Sequence, residues 1–204
     1  MNRQSLLLIF TGLIVLQVRA QENPLKLYLK GGLNISSGLV STPTKYSGTG
    51  IGFHAGVVGD YRISDQFSIQ PGALLSSKNA KIKDLNGITI NMLTLDIPVL
   101  AVYHKDKFFA GLGPDFNFGL TGKFKYRDSR YDLFDKESDA RFSIKRLEIA
   151  ASLMAGYFIS EQLFVSAGFN LGLNNLFNYS EVTNSSTKVR TSIIGLSVGY
   201  AIGR

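Results

Sequence analysis

The chain has 204 residues, a formal net charge of +7 at pH 7 and no cysteine. The lack of cysteine excludes a lipoprotein anchor, a disulfide framework and any thiolate site for a metal or a substrate. The basic residues are not clustered with interleaved aromatic rings as in nucleic-acid readers, so the positive charge favours attraction to anionic lipid headgroups.

The first 20 residues are predicted to be a signal peptide. Arg3 precedes an apolar run over residues 6–16, and this run is shorter than the roughly 20 residues that a spanning helix needs. Ala20 ends a segment of the kind that signal peptidase recognises, so the mature chain is expected to begin at Gln21. Without the two arginines of the leader, the chain carries 20 basic and 15 acidic residues, a net charge of +5.

Eight β-strands are predicted in the mature chain, because apolar residues alternate with small or polar residues at a period of two. These strands cover residues 25–34, 51–62, 67–75, 92–104, 108–121, 146–158, 163–174 and 193–203. Longer loops are predicted over residues 36–50, 78–87, 122–142 and 175–188. Strands of about 9–11 residues can cross a bilayer, and an even number joined alternately by short turns and longer loops is typical of outer-membrane barrels.

The short turns share a sequence pattern. Residues 61–72 and 157–168 keep Tyr, Ile, Ser, an acid, Gln, an apolar residue and a final Gly at matching positions. Residues 103–111 form a looser third copy. Each copy places aromatic residues on both sides of the turn, which predicts three hairpins at one end of a single antiparallel sheet.

The composition of the second strand face indicates which face points outward. A water-facing surface would be rich in Lys and Glu, but the last two predicted strands carry mostly Gly, Ser, Asn and Ala there. Such small residues suit the crowded lumen of an eight-stranded barrel. A soluble periplasmic carrier of the lipocalin type, with the faces reversed, is the alternative.

An aromatic girdle is predicted at the short-turn end of the apolar face, where amphipathic rings favour the headgroup level of a membrane. Its members are Tyr61, Phe67, Tyr103, Phe108, Tyr157 and Tyr200. Three prolines, Pro71, Pro98 and Pro114, lie within predicted strands, and bulges are expected at them because a closed barrel has no free edge.

Four motifs carry a family resemblance. They are Gly31-Gly32-Leu33-Asn34, Leu95-Asp96-Ile97-Pro98-Val99-Leu100, Phe109-Ala110-Gly111-Leu112-Gly113-Pro114 and Gly195-Leu196-Ser197-Val198-Gly199-Tyr200. Through these motifs, most of the chain from Lys26 onward resembles the small outer-membrane β-barrel domain family that includes the PorT-like proteins. The resemblance implies a single barrel domain over residues 21–204 in the outer membrane of a Gram-negative bacterium. Some members of that family are linked to protein secretion.

The lumen face of the predicted barrel carries a set of charged residues. Its members are Lys30, Asp60, Arg62, Asp96, Asp115, Arg146 and Glu148. An unpaired charge in a closed lumen is costly to desolvate, so these groups are predicted to form salt bridges that plug the barrel. The alternative is a proton or ion path.

No enzyme activity, metal site or cofactor is predicted. The two histidines, His54 and His104, lack metal-ligand spacing, and neither has recognisable catalytic partners in the sequence. A lipid-modifying hydrolase is the alternative, which would need a Ser, a His and an acid facing lipid near the outer loops.

The longest predicted loop carries Lys123, Lys125, Arg127 and Arg130, interleaved with aromatic residues. These cations are predicted to bind lipopolysaccharide phosphates or a protein partner; the alternative is a solvated loop that caps the barrel. The sequence therefore predicts a monomeric eight-stranded outer-membrane barrel of structural or interaction type, as an accessory to secretion.

Overall fold

A computed structural model describes residues 25–37, 48–82, 88–126, 129–134, 143–176 and 190–202. The strands are β1 (Leu25–Ser37), β2 (Gly48–Arg62), β3 (Phe67–Ile82), β4 (Ile88–Lys105), β5 (Phe108–Tyr126), β6 (Ser129–Asp132), β7 (Leu147–Phe158), β8 (Leu163–Gly172) and β9 (Ser192–Ile202). The described residues contain no helix that is long and apolar enough to cross a membrane. The predicted signal peptide lies outside the described residues.

Eight of these strands form a closed antiparallel barrel. The sheet order is β4-β3-β2-β1-β9-β8-β7-β5, and β4 also pairs with β5, which completes the ring. Strand β6 is a short extension that pairs with the far end of β5. Closure leaves no free edge in the ring, so each barrel strand is paired with a neighbour on both sides. The predicted eight-stranded barrel is confirmed.

Three predicted loops are in part strand. The predicted loop at 36–50 contains the end of β1, to Ser37, and the start of β2, from Gly48. Strand β3 continues to Ile82 and β5 to Tyr126, so the predicted loops at 78–87 and 122–142 begin with strand residues. The polar composition of these segments indicated loops, but the period of two persists. Inward Lys78 and Ala80 are 1% exposed, and outward Lys81 is exposed. The wall on this side therefore extends beyond the apolar part of the barrel.

The three prolines are accommodated without a bulge. Pairing between β3 and β4 breaks after Pro71↔Val99 and resumes in the same register. Pairing between β4 and β5 likewise breaks next to Pro98↔Asp115 and resumes in register. The expectation of bulges at the prolines is wrong, because a local gap in the ladder is enough to accommodate the missing N–H donor.

The register shift lies farther along β5, opposite Leu93 and Thr94. Leu120 and Thr121 are both exposed there, so the alternation of faces reverses beyond this point. Thr121 therefore faces outward, whereas an unbroken period of two from Phe109 would place it in the lumen. The same reversal turns the later cations of β5 outward.

The apolar face of the barrel points outward. Leu33, Leu112 and Leu196 are each more than 60% exposed, while most inward positions of the same strands carry small or polar residues. Such an outer surface suits the hydrocarbon layer of a bilayer. This arrangement is the reverse of a lipocalin-type carrier, so the alternative with reversed faces is wrong.

Candidate functional site: the barrel interior and the basic wall

An apolar layer crosses the barrel interior near its short-turn end. We call it the aromatic partition, and its buried members are Tyr28, Val58, Leu74, Leu100, Val102, Phe109, Met154 and Phe164, with Phe158 packed against them. The ring of Phe109 lies 5.4 Å from that of Phe164 and 5.0 Å from that of Phe158, measured between centroids. Edge-to-face contacts of this kind fill the cross-section with carbon.

Two glycines make room for the partition. A Cβ atom at Gly199 would overlap the ring of Phe164, and one at Gly156 would overlap the ring of Phe109. In both places, a ring from a neighbouring strand covers the glycine. The alternation of small and large side chains is how a narrow barrel fills its interior.

A polar cluster lies on the short-turn side of the partition. Arg62 Nε donates to Asp60 Oδ2 at 3.1 Å, and Arg62 Nη2 lies 3.2 Å from His104 Nδ1. Because the guanidinium can only donate, Nδ1 accepts and the proton of the ring lies on Nε2, 2.9 Å from Ser68 Oγ. The predicted partners Asp60 and Arg62 are thus brought together. His104 is 6% exposed within β4.

The opposite side of the partition holds a buried ion pair. Lys78 Nζ donates to Asp96 Oδ1 at 3.1 Å, and Thr94 Oγ1 donates to the same oxygen at 2.7 Å. Asp96 belongs to the predicted lumen set, but its partner was missed because Lys78 was assigned to a loop. The inward alternation of β3, continued by two more residues, would have found it.

The remaining predicted lumen residues fall into separate contacts. Asn170 donates to Asp115 Oδ2 at 3.0 Å, and Thr191 Oγ1 donates to Glu148 Oε1 at 2.7 Å. Lys30 Nζ lies 3.5 Å from the thioether sulfur of Met154.

Arg146 lies elsewhere. Its side chain is exposed, donates to the carbonyls of Gly119 and Leu120 and lies over the Phe134 ring. The prediction that Arg146 joins the lumen charges is therefore wrong, because β7 begins one residue later, at Leu147.

His54 faces the lumen, as predicted, within a directional hydrogen-bond chain. Asn34 Nδ2 donates to the Phe53 carbonyl at 3.4 Å, so its Oδ1 accepts from His54 Nδ1 at 2.8 Å. His54 Nε2 then accepts from the hydroxyl of Ser197 at 2.8 Å. All three side chains are less than 9% exposed. Sequence spacing could not reveal this chain, because its members come from three strands.

A small polar cavity lies beside this chain. Its volume is about 70 Å³, and its lining includes Lys30, His54, Asp96, Asp115 and Ser197. Within the described ranges, no group of three or more His, Asp or Glu side chains is arranged to hold a metal ion. The space is sufficient for a few water molecules.

The outer surface carries a row of cations beyond the apolar belt. Lys81 pairs with Thr89, Thr89 with Lys125, and Lys125 with Arg130, so the row crosses β3, β4, β5 and β6. One step nearer the belt, Lys123 pairs with Asp132. We call Lys81, Lys123, Lys125 and Arg130 the basic wall; all four side chains are exposed. Arg127 lies outside the described residues.

The six aromatic residues predicted to form a girdle all face outward. Each is between 36% and 64% exposed, and each lies near a short turn. The rings of Phe67 and Tyr103 are 5.2 Å apart, and those of Phe108 and Tyr157 are 4.9 Å apart. These neighbouring pairs come from adjacent strands.

Two solved structures share this fold. Neisserial surface protein A has 12% sequence identity and a TM-score of 0.53, over 86% of this chain and 97% of that protein. The attachment invasion locus protein Ail of Yersinia pestis, in complex with the heparin analogue sucrose octasulfate, has 10% identity and a TM-score of 0.51, over 87% of this chain and 99% of Ail. At this identity the likeness shows the fold alone. No curated protein matches the chain.

The sequence also matches a family model. The match covers residues 19–178, and the family is described as outer membrane protein beta-barrel domain. Together with the closed barrel and its apolar outer face, this match assigns the location and the family. The chain is an outer-membrane protein, and it belongs to the outer membrane protein beta-barrel domain family.

Proposed function

We propose that the protein is an outer-membrane barrel that neither conducts ions nor acts as an enzyme. It acts through its outer extension, by which we mean the ends of β3, β4 and β5 beyond the apolar belt together with β6. The observation that carries this proposal is the aromatic partition. Apart from the hydroxyl of Tyr28, the side chains of this layer are apolar, so a hydrated ion entering the layer would lose most of its hydration without compensation.

The polar groups on the two sides of the partition support the same conclusion. The pair of Lys78 with Asp96 and the pair of Arg62 with Asp60 each form within one polar cluster, on opposite sides of the apolar layer. A proton or ion path would need polar groups that continue from one side to the other. In this proposal carbon-rich side chains close the lumen and the ion pairs flank them, in place of the salt-bridge plug predicted from the sequence.

Conductance in planar bilayers tests the proposal. The wild-type protein is expected to give no steady conductance steps, whereas Phe109→Ala combined with Phe164→Ala should remove two rings of the closing layer and produce them. Phe108→Ala, which truncates an outward ring next to Phe109, is the matched control and should stay silent. Steady conductance of the wild-type protein would overturn the proposal.

The outer extension supplies the interaction surface in this proposal. We propose that Lys123, Lys125, Arg127 and Arg130 contact an anionic component of the envelope, because the segment that carries them is rich in positive charge. Ail, which shares the fold, binds a sulfated heparin analogue, so polyanions are a reasonable class of partner. From the resemblance to the PorT-like proteins, we predict a role as an accessory to secretion. Export by a cleaved signal peptide is likewise a prediction, which N-terminal sequencing of the mature protein would check.

A further inference from the structure

We infer that the basic wall is a binding surface for a phosphorylated glycolipid of the outer leaflet. This inference rests on the proposed function of the outer extension and names its partner. It adds Lys81, which the sequence placed in a loop, and it assigns the site to paired strands, β3, β5 and β6, in place of a loop tip.

The register of the strands aligns the cations. Lys81, Lys125 and Arg130 occupy one row through Thr89, and Lys123 lies in the next row toward the membrane. Neighbouring strands are about 4.8 Å apart, so the three cations of the outer row span about 14 Å. A headgroup with more than one phosphate can contact several of these cations at once, which strengthens charge-assisted hydrogen bonding.

The hairpin that carries two of the rows is held in place from its inner side. Phe124 and Tyr131 are paired across the hairpin, with ring centroids 6.4 Å apart. Leu133 is 1% exposed, and its amide donates to the Gly122 carbonyl at 3.0 Å. The cations on the outer side are therefore presented by an ordered support, which reduces the entropy lost when a ligand binds.

The height of the wall above the apolar belt matches the headgroup region. On β4, Leu93 is the last outward apolar residue before Asn91 and Thr89. Lys123 is level with Asn91, and Lys125 is level with Thr89. At about 3.3 Å per residue and a tilt of about 40°, these rows lie about 5 Å and about 10 Å above Leu93. The polar layer of a bilayer is about 5–8 Å thick on each side of the hydrocarbon core. The row of Lys123 lies within this thickness, and Lys125 reaches the layer by extending its side chain toward the lipid surface.

The surface below the wall distinguishes a lipid from a soluble polyanion. Leu75 and Phe118 lie in one row across β3–β5 beneath the cations, and both are more than 40% exposed. The same three strands thus present apolar surface at acyl-chain depth and positive charge at headgroup depth. A glycolipid uses both surfaces, whereas a soluble sulfated glycan uses only the cations.

The charge of the wall is strongly positive. The outward positions hold the four cations and one carboxylate, Asp132, opposite Lys123. Near an anionic surface, each Lys or Arg contributes about 1 kcal/mol. Removing three of the cations is therefore expected to weaken binding on the order of 100-fold.

The test measures retention of lipid A by the purified barrel, using native mass spectrometry in mild detergent. Wild type is compared with the triple variant Lys81→Gln, Lys125→Gln, Arg130→Gln, and heat-modifiable gel mobility shows that each variant is folded. The matched control is Lys26→Gln, Lys105→Gln, Lys107→Gln, which removes the same charge from exposed positions at the other end of the barrel. Dephosphorylated lipid A and sucrose octasulfate are the comparison ligands.

We expect wild type and control to retain lipid A and the wall variant to lose it. Equal retention by the wall variant, or an equal loss in the control, would overturn the inference while leaving the non-conducting barrel untouched. Binding of sucrose octasulfate without retention of lipid A would also overturn it, in favour of a soluble glycan. Retention of the dephosphorylated lipid at wild-type strength would show that acyl chains alone are recognised.

Discussion

Lys78 shows how much a single residue inside this barrel depends on its strand neighbours. Its ammonium is 1% exposed and donates to Asp96, whose other close donor is the Thr94 hydroxyl. A buried charge is tolerated only with such partners. Three residues farther along, Lys81 has no such requirement, because odd positions of β3 face outward.

We expect Lys78→Met to destabilise the barrel by about 3–5 kcal/mol, because it leaves the Asp96 carboxylate buried without its cation. Lys81→Met, on the opposite face, should change stability by no more than about 0.5 kcal/mol. Urea unfolding midpoints of the refolded protein in detergent would measure both. Equal small effects would mean that Asp96 is held by other groups.

Ser197 is the residue that would serve as the nucleophile if the protein were a lipid-modifying hydrolase. Its hydroxyl donates to His54, whose tautomer is set by Asn34, and this order of atoms resembles a serine triad. The side chain is nevertheless 8% exposed, beside a cavity of about 70 Å³. In contrast, the proton on His104 Nε2 points toward Ser68, so His104 cannot act as a base for that hydroxyl.

We therefore expect a fluorophosphonate probe to leave Ser197 unmodified in the folded barrel, because the hydroxyl is enclosed by the lumen. Intact mass spectrometry of wild type and Ser197→Ala after exposure to the probe would measure this. Stoichiometric labelling that disappears in the variant would contradict the proposal that the protein is not an enzyme and would support the hydrolase.

At the scale of the strand, glycine positions are paired with rings from neighbouring strands. Gly199 of β9 lies under the ring of Phe164 of β8. A Cβ atom added to Gly168 of β8 would instead lie 3.5 Å from its nearest neighbour, the carbonyl oxygen of Leu153. The same residue type therefore has different roles in two adjacent strands. Sequence alternation alone treats both as lumen glycines.

We expect Gly199→Ala to cost about 1–3 kcal/mol, because the added methyl group displaces the Phe164 ring from the aromatic partition. Gly168→Ala should be tolerated within about 0.5 kcal/mol, since its Cβ meets only ordinary contact. Thermal shifts of heat-modifiable mobility would rank the two variants. Combining Gly199→Ala with Phe164→Leu should recover part of the loss, and no recovery would contradict the packing explanation.

At the scale of the whole molecule, the pairing of β1 with β9 turns a sheet into a barrel. Leu33 is opposite Leu196 in this pairing, and opposing Cα atoms of antiparallel strands lie about 4.5–5.5 Å apart. That distance is within the range of a disulfide, about 4.4–6.8 Å. The natural chain has no cysteine, so an introduced pair has no competitor.

We expect Leu33→Cys combined with Leu196→Cys to form an intramolecular disulfide after insertion into membranes. Leu33→Cys with Val198→Cys, displaced by two residues at about 7–8 Å, should not form one. Non-reducing gel mobility of the two double variants measures the difference. Efficient crosslinking of the displaced pair would mean that the closing register differs.

The sequence by itself determined the strand pattern, the number of barrel strands and the outward direction of the apolar face. These features depend on local period and composition, which are visible along one chain. The same alternation of odd and even positions between the two faces predicted that Asp60, Arg62 and Asp96 point into the lumen. Arg146 was misplaced because parity is unreliable at a strand end, where one residue decides whether the side chain enters the barrel.

Only the tertiary structure decided which side chains meet. The Lys78–Asp96 pair, the His54 chain and the aromatic partition each join residues from different strands, so their contacts depend on register and on closure. The basic wall also needed the structure, because a one-residue shift near Leu93 reverses the faces of β5 and turns its cations outward. A shift of one residue changes every later side chain from one face to the other, and no local pattern in this sequence marks where it occurs.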